Sequence, residues 1–172
     1  MEPNVLIGSP VRQKPEILRR FLAGLQRLDL SGIRARFMFF DDNTDRESSS
    51  LLARFAAETG ADVVRWKTEE DDAYVRTEEA HFWKETLIWK VAAMKDHMLE
   101  AALAGGFTHL FLADSDLVLH PRTLQVLLQA KVDIVSNIYW TRWQPGTIEM
   151  PQVWQHGEYE MHPLVRKRKP DP

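Results

Sequence analysis

Short apolar runs alternate with amphipathic helical patterns along most of this chain. The apolar runs have the length of single strands and cover residues 4–8, 35–40, 62–66, 107–112 and 132–136. Between them, apolar residues recur every three or four positions, which is the spacing of one face of a helix. Strands separated by helices are typical of parallel pairing through crossovers. The pattern therefore predicts an α/β fold, with a Rossmann-like, mostly parallel sheet and helices on both faces.

The helical patterns and the segments between them can be bounded from their residue types. The predicted helices cover residues 15–28, a segment around 51–56 that stops near Gly60, residues 81–104, and residues 120–128. The acidic segment 67–79 has no periodicity and is predicted to be a loop. The alternation of strand and helix patterns ends after Trp140, and a loop with at most one short strand is expected there.

Length and tail composition bound the domain organisation. A chain of 172 residues is long enough for one domain with a sizeable core. We expect a single domain over residues 1–165, followed by a basic, disordered tail over 166–172. Contact of this tail with anionic lipid or a partner is the alternative interpretation.

Charge and cysteine usage exclude several classes of function. A formal net charge of -3 gives no general attraction to nucleic acid. The absence of cysteine excludes structural disulfides, thiolate metal sites and cysteine catalysis. No signal peptide and no apolar segment of membrane-spanning length is recognised. Because a cysteine-free chain fits a reducing compartment, a cytoplasmic location is expected.

Two carboxylates separated by one serine, Asp114-Ser115-Asp116, follow the apolar run 107–112. If the backbone stays extended there, both carboxylates can point the same way. Two negative charges at such a short distance repel each other unless a cation or a proton lies between them. At the carboxyl end of a strand, this favours a divalent metal that holds phosphates. The alternative is a polar turn, or the cap of the next helix.

A second acidic pair, Asp41-Asp42, follows the apolar run 35–40. The carboxyl ends of parallel strands lie at one edge of a sheet, so these acids could share a cleft with Asp114 and Asp116. The alternative is again an ordinary turn after a strand.

The order of these motifs resembles that of GT-A glycosyltransferases, the nucleotide-diphospho-sugar transferases, in a form similar to family 2. The segments that carry the resemblance are residues 5–12, 39–43, 110–116 and 133–140, with the last acidic triplet in the place of the family's Asp-x-Asp motif. The resemblance implies a metal-dependent transferase of the hexosyltransferase type. It would move sugar from a UDP- or GDP-linked donor to a saccharide, lipid or protein acceptor.

The resemblance also implies roles for individual residues. The residues implied to contact the nucleotide sugar are Pro10, Val11, Arg12, Asp41, Asp42, Lys90, Asp114 and Ser115. Asp114 and Asp116 would hold Mn²⁺ or Mg²⁺ on the diphosphate, with His156 or His162 as a possible third ligand. The alternative for Lys90 is an ordinary surface lysine on its helix. The alternative for Asp41 and Asp42 is an ordinary turn.

No catalytic base is identified by the motifs. Inverting members of this fold use a carboxylate base downstream of the Asp-x-Asp motif, and the candidates here are Glu149, Glu158 and Glu160. A retaining enzyme would need no such base. The alternatives to a complete transferase are a truncated one, a non-catalytic module that binds nucleotide sugar, and a phosphatase of the haloacid-dehalogenase type. In the phosphatase, the first acid of the triplet would be the nucleophile.

Overall fold

A computed structural model describes residues 2–66, 75–76, 81–82, 84–138, 140–141 and 148–151. Its strands are β1 (Asn4–Val11), β2 (Arg34–Asp41), β3 (Asp62–Arg65), β4 (Val75–Arg76), β5 (His81–Phe82), β6 (His109–Leu112), β7 (Trp140–Thr141) and β8 (Met150–Pro151). Its helices are α1 (Pro15–Gln26), α2 (Arg46–Thr59), α3 (Glu85–Ala104) and α4 (Thr123–Gln129). None of these helices is both long and apolar enough to cross a membrane.

Two compact units divide the chain, Met1–Gln129 and Ala130–Pro172. Within the described part of the second unit, β7 and β8 form an antiparallel pair. The expected tail at 166–172 lies outside the described residues, so the single domain ending at residue 165 stays a prediction.

A parallel sheet of four strands, in the order β3-β2-β1-β6, forms the centre of the first unit. The chain moves outward from β1 to β2 and β3, and then returns to the other side of β1 to form β6. The strand order therefore reverses between β1 and β6, and ligands of open α/β sheets bind beside the carboxyl ends of the strands at such a point. The predicted α/β class and the parallel sheet are confirmed.

One face of the sheet carries an aromatic core built with α1 and α2. Phe37 and Phe39 alternate along β2 with residues that face the other side of the sheet, and their stacked rings lie 6.2 Å apart. Phe55 of α2 meets both rings edge-on, at 5.3 Å and 5.6 Å between centroids, and Phe21 of α1 meets Phe39 at 6.5 Å. Edge-to-face pairs of this kind stabilise a core beyond the area they bury.

The opposite face of the sheet packs against α3. Phe40 is buried there with Met94 and Met98, so the side chains of β2 alternate between two cores. Gly8 of β1 allows the close approach, because a Cβ at this position would lie 2.6 Å from the Met98 sulfur. The helix is thereby held directly over β1, which fixes the position of the residues that α3 presents at the carboxyl edge of the sheet.

Local signals explain where α2 begins and ends. Asp45 precedes the helix in extended conformation, and its carboxylate accepts a hydrogen bond from the Glu47 amide at 2.8 Å, as expected of an N-cap. Gly60 ends the helix in the left-handed region, at φ 73°, where glycine carries no steric penalty. The predicted stop near Gly60 agrees with the structure.

Four sequence-based boundaries differ from the structure. The helix expected from residue 81 begins at Glu85, because His81–Phe82 pairs as a strand with Val75–Arg76 inside the segment expected to be loop. The short helix expected from residue 120 begins at Thr123, after a turn. The acidic triplet lies beyond the end of β6 at Leu112 rather than on an extended strand.

The fifth strand predicted over residues 132–136 is absent from the described structure, where residues 132–134 form bends and 135–136 are irregular. Its apolar side chains are exposed, Ile134 most of all. Local β preference gives a strand only when a partner supplies the ladder hydrogen bonds and neighbouring side chains bury its apolar face. No described strand pairs with this segment.

Candidate functional site

A cleft of about 650 Å³ lies at the carboxyl edge of the four-stranded sheet, within the first unit. The residues that line it come from the segments after β1, β2 and β6 and from α3: Pro10 to Pro15, Asp42 to Asp45, Asp114 to Asp116, Leu87, Val91, Met94 and Lys95. Because β6 lies beside β1, the cleft occupies the point where the strand order reverses.

The acidic triplet forms one wall of this cleft. The Leu117 amide donates to the Asp114 carbonyl at 3.2 Å, which closes a turn over residues 114–117. Ser115 is buried in the turn, whereas Asp114 and Asp116 are exposed. The turn interpretation of the triplet is thus correct for the backbone, and the turn leaves both carboxylates at the cleft.

The donor set of the wall fits a hard divalent cation. No group of three or more metal-ligating side chains occurs among the residues that the structure describes. Mg²⁺ sites are commonly built from one or two carboxylates, with phosphate oxygens and water completing the shell. Asp114 and Asp116, on one cleft wall, are the residues that could supply the protein ligands of such a site.

A buried ion pair between Lys90 and Asp42 connects α3 to the segment after β2. The Lys90 ammonium lies 2.7 Å from the Asp42 carboxylate, and only 7% and 5% of the two side chains are exposed. The Arg12 guanidinium lies 3.6 Å from the other oxygen of Asp42. Lys90 is therefore no ordinary surface lysine, since it pairs with an acid that lines the cleft.

Asp41 is buried beside this pair but faces a different set of partners. Its Oδ1 accepts from the amide and side-chain nitrogens of Asn43, at 3.0 Å and 2.7 Å. Its Oδ2 accepts from Arg65 at 2.7 Å. Burial acts to raise the pKa of Asp41, but hydrogen bonds from Asn43, Ser49 and Arg65 outweigh it and hold that pKa below its ordinary value. Asp41 does not line the cleft.

The lowered pKa of Asp41 predicts a pH dependence of folding stability. The folded-state pKa lies below the unfolded one, so ionised Asp41 stabilises the fold at pH values above about 4. As the pH falls through the folded-state pKa, this contribution is lost. Asp41→Asn lacks it, so the difference in unfolding free energy between wild type and variant should shrink as the pH falls below about 4. Urea unfolding of both proteins at a series of pH values measures this difference in unfolding free energy.

A matched control for this measurement is Asp62→Asn. Asp62 pairs with Arg36 on the same two strands, β2 and β3, but 46% of its side chain is exposed. The variant therefore accounts for the change in net charge. A difference between wild type and Asp41→Asn that stays constant from neutral to acidic pH would contradict the role assigned to Asp41.

The sequence-predicted residues fall into four groups, of which the first is Asp41 alone, buried outside the cleft. The cleft brings together Pro10, Val11, Arg12, Asp42, Asp114, Ser115 and Asp116, and Lys90 adjoins it through Asp42. Glu149 is exposed and belongs to the second unit. His156, Glu158, Glu160 and His162 lie outside the described residues, so their roles stay predictions.

Sequence reasoning missed two kinds of site residue. Lys95 lines the cleft four positions after Val91, and the helical spacing of the apolar face of α3 contained the signal for it. Arg65 and Asn43 form the hydrogen-bonded support of Asp41. The hydrogen bond from Arg65 to Asp41 joins residues 24 positions apart, and no local sequence pattern indicates it.

A parallel sheet with helices on both faces and a polar cleft at its reversal point defines a Rossmann-like α/β protein. Residues 2–143 match the family model for the N-terminal domain of glycosyltransferase family 25, and the chain belongs to this family. Searches of curated proteins and of solved structures found no match. The predicted class, a glycosyltransferase, is confirmed by this family match.

Proposed function

We propose that this glycosyltransferase moves a sugar, of the hexose type, from a UDP- or GDP-linked donor bound in the cleft, with Mn²⁺ or Mg²⁺ present. The observation that carries the proposal is the position of the acidic triplet. It lies on the wall of a cleft at the reversal point of a parallel sheet, in a chain of a glycosyltransferase family. Family membership favours transfer over the phosphatase alternative.

The charged residues around the cleft can bind a diphosphate only when a cation lies between their carboxylates and the phosphates. Arg12, Lys14 and Lys95 provide positive side chains, and the carboxylates of Asp114 and Asp116 face the same space. Without a cation these two carboxylates would repel a nucleoside diphosphate. A divalent ion held by them would neutralise and orient the phosphate leaving group. His156 or His162 is proposed as a further ligand.

The segments after β1 and β2 are proposed to hold the nucleoside. Pro10, Val11 and Arg12 border the cleft on one side, where an apolar ring and a guanidinium can contact a base and ribose. Asp42 offers carboxylate oxygens to donor groups of the base or ribose, while Lys90 and Arg12 fix its orientation. Since Asp41 is engaged with Asn43 and Arg65, Asp42 is the better supported member of the pair.

The acceptor half of the reaction is proposed from the sequence alone. If the enzyme inverts configuration, a carboxylate must take the proton of the attacking hydroxyl. Glu149, Glu158 and Glu160 are the proposed candidates, and the acceptor is a saccharide, lipid or protein. A module that binds the donor without transferring its sugar is the alternative.

Calorimetric titration with UDP and with GDP, each with and without Mn²⁺, tests the proposal. Mn²⁺ is expected to raise the affinity for one of the two nucleotides by about tenfold or more, because the cation links the carboxylates of the protein to the phosphates of the nucleotide. The preferred nucleotide also identifies the class of donor. Absence of a metal effect for both nucleotides would overturn the proposal. Binding without sugar transfer or donor hydrolysis would instead support the non-catalytic module.

A further inference from the structure

The two segments that form one side of the cleft, after β1 and after β2, are joined through the backbone of Gln13. The Gln13 amide donates to the Asn43 side-chain oxygen at 2.8 Å. The Gln13 carbonyl accepts from the Ser48 hydroxyl, also at 2.8 Å. Because both backbone polar groups of Gln13 are held by the chain after β2, the neighbouring cleft residues Arg12 and Lys14 are fixed relative to that chain.

Asn43 can hold Gln13 only because its own orientation is fixed. Its side-chain nitrogen and its amide both donate to Oδ1 of Asp41. Its carbonyl accepts from Nη2 of Arg65 at 2.8 Å. Asn43 is buried, so a rotation that broke these contacts would leave polar groups without partners in the protein interior.

Arg65, at the end of β3, makes three contacts with this support. Nη1 donates to the Asp41 carboxylate and to the Ser49 hydroxyl, each at 2.7 Å, and Nη2 donates to the Asn43 carbonyl. These acceptors come from the end of β2, from α2 and from the segment between them. The planar guanidinium suits several acceptors in fixed directions, which a lysine ammonium does not reproduce.

We propose that Arg65 is a positioning residue for the cleft, acting through Asp41 and Asn43 on the backbone of Gln13. Arg65 itself does not line the cleft. Its effect on the cleft backbone is independent of any ligand, whereas its effect on nucleotide affinity rests on the proposed function. Loss of Arg65 should loosen the Asn43–Gln13 link and weaken nucleotide binding without removing any group that touches the nucleotide.

Arg36→Met is a matched control for Arg65→Met. Both arginines pair with an aspartate across β2 and β3, and 58% of each side chain is exposed. The partners differ, since Asp62 is 46% exposed whereas Asp41 is 6% exposed and contacts Asn43. The control therefore removes the same charge and chain length from the same pair of strands, away from the cleft support.

Hydrogen exchange of the Gln13 amide, followed by NMR in the protein without nucleotide, is the first measurement. Exchange in Arg65→Met should be about tenfold faster than in wild type, and exchange in Arg36→Met should be unchanged. Arg65→Lys retains the charge and should fold even if Arg65→Met does not. Its Gln13 amide should nevertheless exchange fast, because lysine lacks the planar fork.

Nucleotide affinity is the second measurement, on the same variants. UDP or GDP with Mn²⁺ should bind Arg65→Met and Arg65→Lys about tenfold more weakly than wild type or Arg36→Met. Wild-type exchange at Gln13 in both Arg65 variants, or full recovery in Arg65→Lys, would overturn the positioning role. If wild type binds neither nucleotide, the proposed function fails, and the exchange result still decides whether Arg65 positions the cleft backbone.

Discussion

Replacing Asp116 with asparagine is expected to lower the Mn²⁺-dependent affinity for UDP or GDP by about 100-fold. The carboxylate is exposed on the cleft wall, and the asparagine amide has nearly the same size but no charge. Affinity measured without Mn²⁺ should stay the same or rise slightly, because one charge that repels phosphate has been removed. Calorimetric titration with and without Mn²⁺ separates the two effects.

Asp45→Asn is the matched control for this loss. Asp45 lines the same cleft and is also exposed, and it caps α2 by accepting from the Glu47 amide. Asparagine caps helices about as well as aspartate, so the fold should tolerate the change. Mn²⁺-dependent affinity should remain near that of wild type. Equal losses in Asp45→Asn and Asp116→Asn would contradict a specific metal site at the triplet.

Replacing Lys90 with methionine is expected to destabilise the fold by about 3 kcal/mol. The change removes the ammonium that lies 2.7 Å from a carboxylate of which 5% is exposed. Arg12, at 3.6 Å, offsets part of the loss, but its side chain is more exposed. Urea unfolding at neutral pH measures the loss, which comes mainly from leaving Asp42 charged in a poorly solvated place.

Two further variants isolate the ion pair from the loss of a lysine. Lys95→Met changes the same helix at the cleft, and Lys95 forms no ion pair with a residue that the structure describes. Its unfolding free energy should change by no more than about 0.5 kcal/mol. The double variant Asp42→Asn with Lys90→Met should be more stable than Lys90→Met alone. If the double variant is the less stable one, the buried pair does not carry the effect.

The fold could be predicted where local pattern and partner strands agree. The runs at β1 and β2 are dense in apolar residues, and each has neighbours on both sides in the sheet. The run at 132–136 also contains three β-branched apolar residues, yet no described strand pairs with it. A sequence shows the preference of a segment for the extended state, but not whether a partner with free hydrogen-bonding groups will lie beside it.

The candidate site was predicted in its elements but not in its detail. Asp114 and Asp116 reach the cleft through a turn, although an extended strand was expected to aim them. Asp41 and Asp42 are neighbours in sequence, and only the structure shows that one supports the backbone while the other lines the cleft. The difference depends on Arg65 and Lys90, which come from distant elements.

The pairing of β1 with two partners sets when the cleft can exist during folding. β1 meets β2 after one short crossover, whereas contacts between Asn4 and Thr108 join residues 104 positions apart. Closing the longer loop costs more chain entropy before any contact rewards it. A partly folded chain that has β1, β2 and β3 but not β6 therefore has the side of the cleft formed by the segments after β1 and β2, without the wall formed by the acidic triplet. A ligand that requires both sides stabilises only the complete sheet.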